Sequence, residues 1–202
     1  AGYVTETVGS TNGFLSMNGN AAQAVSGGGT FGNFEVDAGA NTVTVAGGTG
    51  DFTGTFNLTS GTTAGGAAIL LNNATNPPTI VVNAGVFAVA PTFTSMVNVY
   101  YIGIDKTVGN ELPAAADKLN NLTVATTNGG ITSGRGRVLV NVATTVNGIL
   151  DVYPNQALLL SGVDLTMKGG VINLNGDIAN VAATDQLILD AATGTTITGA
   201  GV

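Results

Sequence analysis

Two pairs of carboxylates come closest to a catalytic pattern in this sequence. Glu35 and Asp37 are two residues apart and would share one face of a strand, while Asp185 and Asp190 lie close together along the chain. Paired carboxylates carry the acid and base steps of glycoside hydrolysis. Acidic pairs on strands are more often solvated surface, so we assign no catalytic residue to these positions.

Basic residues offer one close pair, Arg135 and Arg137, within the segment Ser133-Gly134-Arg135-Gly136-Arg137. A polysaccharide lyase would need such a base beside clustered acids on one face of its fold. The glycines predict a turn here, and we interpret the segment as an exposed loop rather than an anion site.

Several other chemistries are excluded or disfavoured by residue type. The chain has no histidine and no cysteine, which removes Ser-His-Asp triads, Cys-His dyads and the usual zinc sites. The glycine-rich segment 26–30 lacks the lysine of a phosphate-binding loop. Segment 47–51 is similar to a calcium-binding nonapeptide repeat, but Asp51 comes one residue early and the motif occurs once. We therefore predict no metal and no cofactor.

Three segments match the N-glycosylation sequon, beginning at Asn57, Asn73 and Asn121. The pattern is short enough to arise by chance. Asn121 also falls within a repeated strand, where a glycan would be hard to place. We assign no modification to these positions.

Composition points to an uncharged, amide-rich surface. Charged residues make up 8% of the chain against about 25% in ordinary soluble domains, and the net charge is −7 with 5 Lys and Arg. No basic stripe exists to neutralise phosphates, so nucleic acid is not an expected partner. No apolar run is long enough to span a membrane. Without a signal peptide or sorting domain, we expect a mature form or an excerpt of a longer protein.

Apolar residues alternate at period two in short runs separated by Gly, Asn, Asp, Thr and Pro, which predicts strands. The clearest runs are 34–36, 42–45, 56–58, 80–82, 122–124 and 187–189. The only helix-like patch is 112–119, where at most one turn of helix is expected. The sequence therefore indicates an all-β protein.

Internal similarity indicates a repeat. Segment 15–19 matches 99–103, segment 33–36 matches 121–124, and segment 52–58 matches 146–152, so the offset between matched segments grows along the chain. Strand cores are kept while the turns absorb extra residues, as in the coils of a solenoid. We predict one elongated domain over 1–202, with one repeat unit at about 14–98 and a second at about 99–202.

The predicted fold is a single-stranded parallel β-helix, a β-solenoid, with coils of roughly 20 residues and about ten coils in all. Alternate Val, Leu and Ile side chains would stack inward about 4.8 Å apart, with Thr and Asn outward. The alternative is an antiparallel β-sandwich that forms a filament subunit, completed by a partner's strand.

Two segments carry a family resemblance. The first is 14–27 followed by 31–36, and the second is 101–103 with 107–113 and 119–124. An apolar strand and Gly are followed by Gln-x-Val-x-Gly, then by an aromatic residue and Asn-Leu-x-Val. This pattern resembles repeat regions of giant cell-surface proteins of Bacteroidota. The resemblance implies a β-solenoid, export by type IX secretion, and a role in adhesion, gliding or the cell coat.

These observations predict a non-enzymatic, extracellular module of the cell surface: a rigid rod that mediates attachment or forms part of a fibre. Exposed aromatic residues such as Tyr3 and Tyr153 would contribute contacts. Expected partners are neighbouring copies or flanking repeats, with surface glycans as a further candidate. A self-assembling filament subunit and a β-helix domain that binds or cleaves polysaccharide remain as alternatives.

Overall fold

The computed structural model describes residues 14–103, 105–125 and 136–201, and within them the chain forms a β-solenoid. All strand pairs in these ranges are parallel, and each strand pairs with its counterpart in the next coil. Most coils contain three strands, which we call sides one, two and three in chain order. The predicted fold class is confirmed, and the antiparallel sandwich is wrong.

Side one is the continuous sheet of the molecule. Its strands, in spatial and sequence order, are β1 (Phe14–Met17), the first part of β4 (Asn33–Ala46), the first part of β6 (Thr55–Ala64), β8 (Thr79–Val82), β11 (Val97–Tyr101), β13 (Leu119–Val124), β16 (Ile149–Val152), β19 (Val171–Leu174) and β22 (Thr196–Thr198).

Side two consists of two successive groups of strands. The first group joins the side-one sheet because β4 and β6 run through the corner, and it contains β2 (Gln23–Ser26), the second parts of β4 and β6, and β9 (Val86–Phe87). The second group is a separate sheet of β12 (Lys106–Thr107), β14 (Gly136–Val140), β17 (Gln156–Leu160) and β20 (Asp177–Asn180).

Side three is also divided into two sheets. The first contains β3 (Gly29–Phe31), β5 (Gly50–Phe52), β7 (Ile69–Leu71) and β10 (Thr92–Phe93), and the second contains β15 (Thr144–Val146), β18 (Leu165–Met167) and β21 (Leu187–Leu189). The closely spaced apolar runs of 138–152 thus belong to three different sides of the solenoid. A short 3-10 turn at Gly66–Ala68 precedes β7.

Coil length follows from the register of side one. The shortest steps are 19 residues, between Ser16 and its Cα partner Glu35 and between Thr79 and its Cα partner Asn98. The longest step joins β13 to β16, where Asn121 and Ile149 occupy equivalent positions and are 28 residues apart. Eight such steps join the nine strands of side one in the described residues. The expectation of about ten coils was too high because most coils are longer than the spacing of the apolar runs suggested. At about 4.8 Å per coil, the stack is about 38 Å long.

The segment matches seen in the sequence join strands four coils apart. On side one these pairs are β1 with β11, β4 with β13, and β6 with β16. The offset grows because later coils are longer: the steps from β11 to β13 and from β13 to β16 both exceed the step from β1 to β4. The division into two repeat units remains a prediction.

The core is a set of inward rows that run along the stack. One row on side one is buried in every coil from the second to the eighth, and its members are Phe34, Phe56, Ile80, Val99, Leu122, Leu150 and Ile172. Each coil therefore buries its apolar side chains against equivalents above and below, and no coil is stable alone.

Phenylalanine rings concentrate in the first four coils. Phe31 and Phe52 stack with ring centroids 5.0 Å apart, and Phe56 lies 5.0 Å from Phe34 and 5.1 Å from Phe87. Such contacts add to burial alone. The sequence indicated a mainly aliphatic core, and it did not reveal that the few aromatic residues come together.

Coil five interrupts sides two and three. Its second strand, β12, has only two residues, and residues 108–118 form turns in place of a third strand. The expected helical turn at 112–119 is absent, and the Lys118 N–H donates to the Ala115 carbonyl across a tight turn, 3.1 Å. Leu112 and Leu119, at the ends of that patch, are both buried in the core.

Asparagine and glycine cooperate at equivalent corners. The Asn33 side-chain oxygen accepts the Thr55 N–H at 2.9 Å, and the Asn121 oxygen accepts the Ile149 N–H at 2.7 Å. The residue before each of these donors is glycine. A Cβ on Gly148 would collide with the side-chain oxygen of Asn121. The repeated Asn is therefore a tie between coils.

Candidate contact surfaces and polar clusters

An outward row of side chains runs along side one between two inward rows. Its register is continuous through the nine strands, and its members are Ser16, Glu35, Asn57, Val81, Tyr100, Thr123, Asp151, Asn173 and Thr198. Most members are hydroxyl or amide residues. This row presents hydrogen-bonding groups at the spacing of the coils, about 4.8 Å.

Glu35 and Asp37 share the outward face, as their spacing predicts. Both Glu35 oxygens accept hydrogen bonds from hydroxyls, one from Ser16 at 2.7 Å and the other from Thr59 at 2.8 Å. Asp37 is exposed and accepts the Ser60 hydroxyl at 2.6 Å. These carboxylates therefore link neighbouring coils, and their contacts are those of structural surface groups.

Asp185 and Asp190 have different environments despite their proximity in sequence. Asp185 is 7% exposed, and its Oδ2 accepts the backbone N–H groups of Gly162 and Ala182 at 3.0 and 3.1 Å. Asp190 is exposed after β21. Asp185 stabilises a turn and the coil before it.

Tyr100, Thr123, Asp151 and Tyr153 form what we call the tyrosine patch. The first three are consecutive in the outward row, and Tyr153, 45% exposed, follows β16 at its end. Burial raises the pKa of Tyr100, and Tyr153 and the Asp151 carboxylate raise it further. The exposure predicted for Tyr153 is confirmed, while Tyr3 lies outside the described residues.

Coil five encloses a polar cluster in the core. Glu111, 3% exposed, accepts the Tyr101 hydroxyl at 2.9 Å and the Gly109 N–H at 2.8 Å. Burial raises the pKa of Tyr101 well above its usual value, with Glu111 adding to the effect. Burial lowers the pKa of Lys106, and the Glu111 charge opposes that shift. The cluster replaces apolar stacking where sides two and three are interrupted.

Arg137 lies in strand β14, so the prediction of an exposed loop was wrong for this residue. Its Nε and Nη2 lie 2.8 and 2.7 Å from Asp105 Oδ2, and its backbone N–H donates to Asp105 Oδ1 at 2.8 Å. Arg135 lies outside the described residues. Asp105 is 32 residues from Arg137, and no sequence pattern linked them.

A groove of about 390 Å³ opens beside this ion pair on side two. Its walls include Asp105, Lys106 and Arg137 together with Leu139 and Leu159. The acids singled out in the sequence are elsewhere. Asp105 and Arg137 therefore place acidic and basic groups together on side two. The sequence analysis did not pair these two residues.

The remaining motifs occupy structural positions. Asp51 lies in β5, and no group of three or more His, Cys, Asp or Glu side chains suited to a metal occurs in the described ranges. Asn57 is in the outward row, and the Asn73 side chain accepts the N–H groups of Thr75 and Asn76 in a turn, at 3.2 and 3.0 Å. Asn121 is tied to the next coil.

Comparison with known proteins assigns no relative, since no family model, curated protein or solved structure matches this chain. Among the helical segments of the described ranges, none has the length and apolar character needed to cross a membrane.

Proposed function

We propose that this chain is a structural or adhesive module of an extracellular cell-surface protein, a rigid β-rod that attaches to surfaces or forms part of a fibre. The observation that carries the proposal is the outward row of side one. The row runs through nine strands, most of its members carry hydroxyl or amide groups, and the adjacent coils are paired in register.

The stacked core supports a load-bearing role. Seven successive members of one inward row are buried, and each strand of side one between the ends is hydrogen-bonded on both edges. Stability in such a stack is a sum of neighbour contacts. The proposed rod needs no single indispensable residue.

The tyrosine patch is the surface that we propose for contact with glycans. Tyrosine rings pack against apolar faces while their hydroxyls form hydrogen bonds, and such residues are enriched at binding sites. Asp151 and Thr123 add an acceptor and a hydroxyl group in the same row. This combination suits the mixed CH and OH surface of a sugar.

A glycan array probed with the purified chain tests adhesion. We expect retention on a subset of glycans, and Tyr153→Ala should weaken it by about tenfold, the loss typical of a contact residue. The control is Val89→Ala, which shortens another exposed side chain, 60% accessible. Absence of retention, equal loss in the control, or cleavage of the glycan would each contradict the proposal.

The resemblance to Bacteroidota surface repeats supports a second element of the proposal, export by type IX secretion to the cell surface. The resemblance depends on segments 14–27 and 31–36, and on segments 101–103, 107–113 and 119–124. Immunolabelling of intact cells of the source organism, before and after surface proteolysis, tests it. Protection of the protein from protease would contradict surface exposure.

A filament subunit is the second candidate, favoured by the C-terminal end of the described stack, in coils eight and nine. The inward rows end there on Leu189 and Ile197, which are 50% and 53% exposed, and β20, β21 and β22 each pair on one edge only. Exposed strand edges with apolar rows invite pairing with another chain. A second copy stacked on this end would give a head-to-tail contact, and such contacts propagate into filaments.

Electron microscopy of the purified chain tests the filament. We expect fibres from the wild type and discrete particles from Ile197→Asp, because the new charge would be buried at the contact. Ile149→Asp is the matched control, since Ile149 is also exposed but lies in the middle of side one. Discrete particles from the wild type, or loss of fibres in both variants, would contradict the filament.

A further inference from the structure

The groove on side two is a concave site that is polarised along the solenoid axis. Asp105 and Lys106 belong to coil five and Arg137 to coil six, while Leu159 lies in coil seven and Val181 in coil eight. Charge is therefore concentrated at one end and apolar surface at the other.

The apolar floor is built from outward side chains of side two. Leu139 and Leu159 are Cα partners in β14 and β17, one coil apart, and both are half-buried. Val181, just after β20, is 63% exposed at the far end. From coil six to coil eight the floor spans two coil spacings, about 10 Å, which an extended octanoate chain can follow.

The charged end holds a guanidinium in a fixed orientation. Asp105 binds Arg137 through both the side chain and the backbone, so both carboxylate oxygens are occupied. Two of the five guanidinium N–H donors are used by this pair, which leaves others for a ligand. The Arg137 side chain is 43% exposed and therefore accessible.

Lys106 belongs to the strand that lines the groove, but its side chain is on the core side. Its Cα partner is Val138, a fully buried inward residue, and it interacts electrostatically with the buried Glu111. Thr107, the Cα partner of the outward Leu139, is the residue of β12 that faces the groove. Among the described lining residues, Arg137 is therefore the cation available to a ligand.

We propose that this groove binds an aliphatic carboxylate, with the carboxylate on the unused N–H donors of Arg137 and the alkyl chain along Leu139 and Leu159 toward Val181. A planar guanidinium matches a carboxylate through paired hydrogen bonds. Among the described lining residues there is no aromatic ring, and only Thr107 and Ser161 carry a hydroxyl group. These features disfavour a sugar, which needs more hydrogen-bonding partners, and favour an alkyl chain.

Calorimetric titration of the purified full chain with sodium octanoate tests this proposal, with octanol as the uncharged comparator. Octanoate should bind with one-to-one stoichiometry and at least about tenfold more tightly than octanol, because a charged hydrogen-bonded pair is lost in the alcohol. Equal affinity for the two compounds, or no saturable binding of octanoate, would overturn the site.

Substitutions of groove residues test whether octanoate binds in the groove. Arg137→Gln and Leu159→Asp should each weaken octanoate binding by at least about tenfold, the first through the lost charge and the second through repulsion and lost apolar contact. Lys168→Gln removes an exposed positive charge outside the groove and should change affinity by less than about twofold. Circular dichroism checks folding.

Because Arg137→Gln also leaves Asp105 without its cation, that variant could fail to fold. Leu159→Asp then decides, since Leu159 is an outward residue of β17. Unchanged affinity in Leu159→Asp, or an equal loss in Lys168→Gln, would overturn the proposal. The glycan-array result does not bear on this test, so the two proposals can fail separately.

Discussion

At the scale of the residue, asparagine side chains connect one coil to the next. The oxygens of Asn33 and Asn121 each accept a backbone N–H from the following coil. These N–H groups belong to residues that begin strands on side one. An amide at this position thus completes the backbone hydrogen bonding of a corner where the strand ladder has not yet started.

The Asn121 tie predicts a measurable contribution to stability. Asn121→Ala should lower the free energy of unfolding by about 1–3 kcal/mol, because the Ile149 N–H loses its partner. Urea denaturation checks this value. Asn57→Ala is the matched control, since the Asn57 side chain points outward in the same sheet and forms no hydrogen bond within the described residues. Equal losses in the two variants would refute the role assigned to Asn121.

Tyr101 and Glu111 predict a pH dependence of stability. The folded-state pKa of Tyr101 lies well above the usual 10.0 because of burial and the neighbouring carboxylate. Its contribution is therefore fully present below pH 10 and is lost as pH rises from there through the folded pKa. Burial lowers the pKa of Lys106, which has the opposite effect on the pH dependence of stability. Lys106 is present in both the wild type and Tyr101→Phe, so comparison of the two isolates the effect of Tyr101.

Tyr101→Phe isolates this effect. At neutral pH the variant should lose about 1 kcal/mol through the missing hydrogen bond to Glu111. Above pH 10 its stability should fall less steeply than that of the wild type. Urea unfolding measured across the alkaline range gives both quantities, and identical slopes would show that Tyr101 does not titrate on unfolding.

At the scale of the element, the corners limit which residues are allowed. A Cβ added at Gly148 would lie 2.8 Å from the Asn120 side-chain oxygen and closer still to that of Asn121. The strands themselves tolerate variation, since Phe, Ile, Val and Leu succeed one another in one inward row. Steric constraint is thus concentrated where successive coils turn against each other.

Gly148→Ala should consequently be destabilising by about 1–3 kcal/mol, the cost of forcing a side chain into a filled space. Gly29→Ala is the control, because a Cβ there meets nothing within 4 Å. Thermal unfolding should separate the two variants clearly. A similar loss in both would mean that glycine is needed at these sites for reasons other than close approach.

At the scale of the whole molecule, the stack is uneven along its length. Side one is continuous, but sides two and three are interrupted at coil five, where a polar cluster replaces a third strand. The last described coil also has exposed inward residues. Local stability in a solenoid follows neighbour contacts, so it should vary from coil to coil.

Hydrogen exchange should reveal this gradient. Amides of β21 and β22 should exchange faster than those of β8, because β8 is paired on both edges while the terminal strands have one neighbour each. Mass spectrometry of peptic fragments measures the difference. If the wild type assembles end to end, protection of β21 and β22 should rise with protein concentration, and uniform exchange along the chain would contradict the uneven stack.

The sequence by itself determined the parallel solenoid, its strand positions and the offset between equivalent strands. Period-two alternation is a local property, and a low content of charged and aromatic residues suits thin stacked layers. All six of the clearest predicted strand runs lie within observed strands. The number of coils was overestimated because turn length leaves little trace in the alternation pattern.

Only the tertiary structure decided which polar groups meet. Asp105 reaches Arg137 across 32 residues, and Glu111 reaches Tyr101 inside a coil that lacks a third strand. Such contacts depend on the register between coils and on the length of each corner. Neither quantity can be read from the residue types of a short segment. The groove and the exposed terminal coil arise in the same way, from stacking rather than from any short motif.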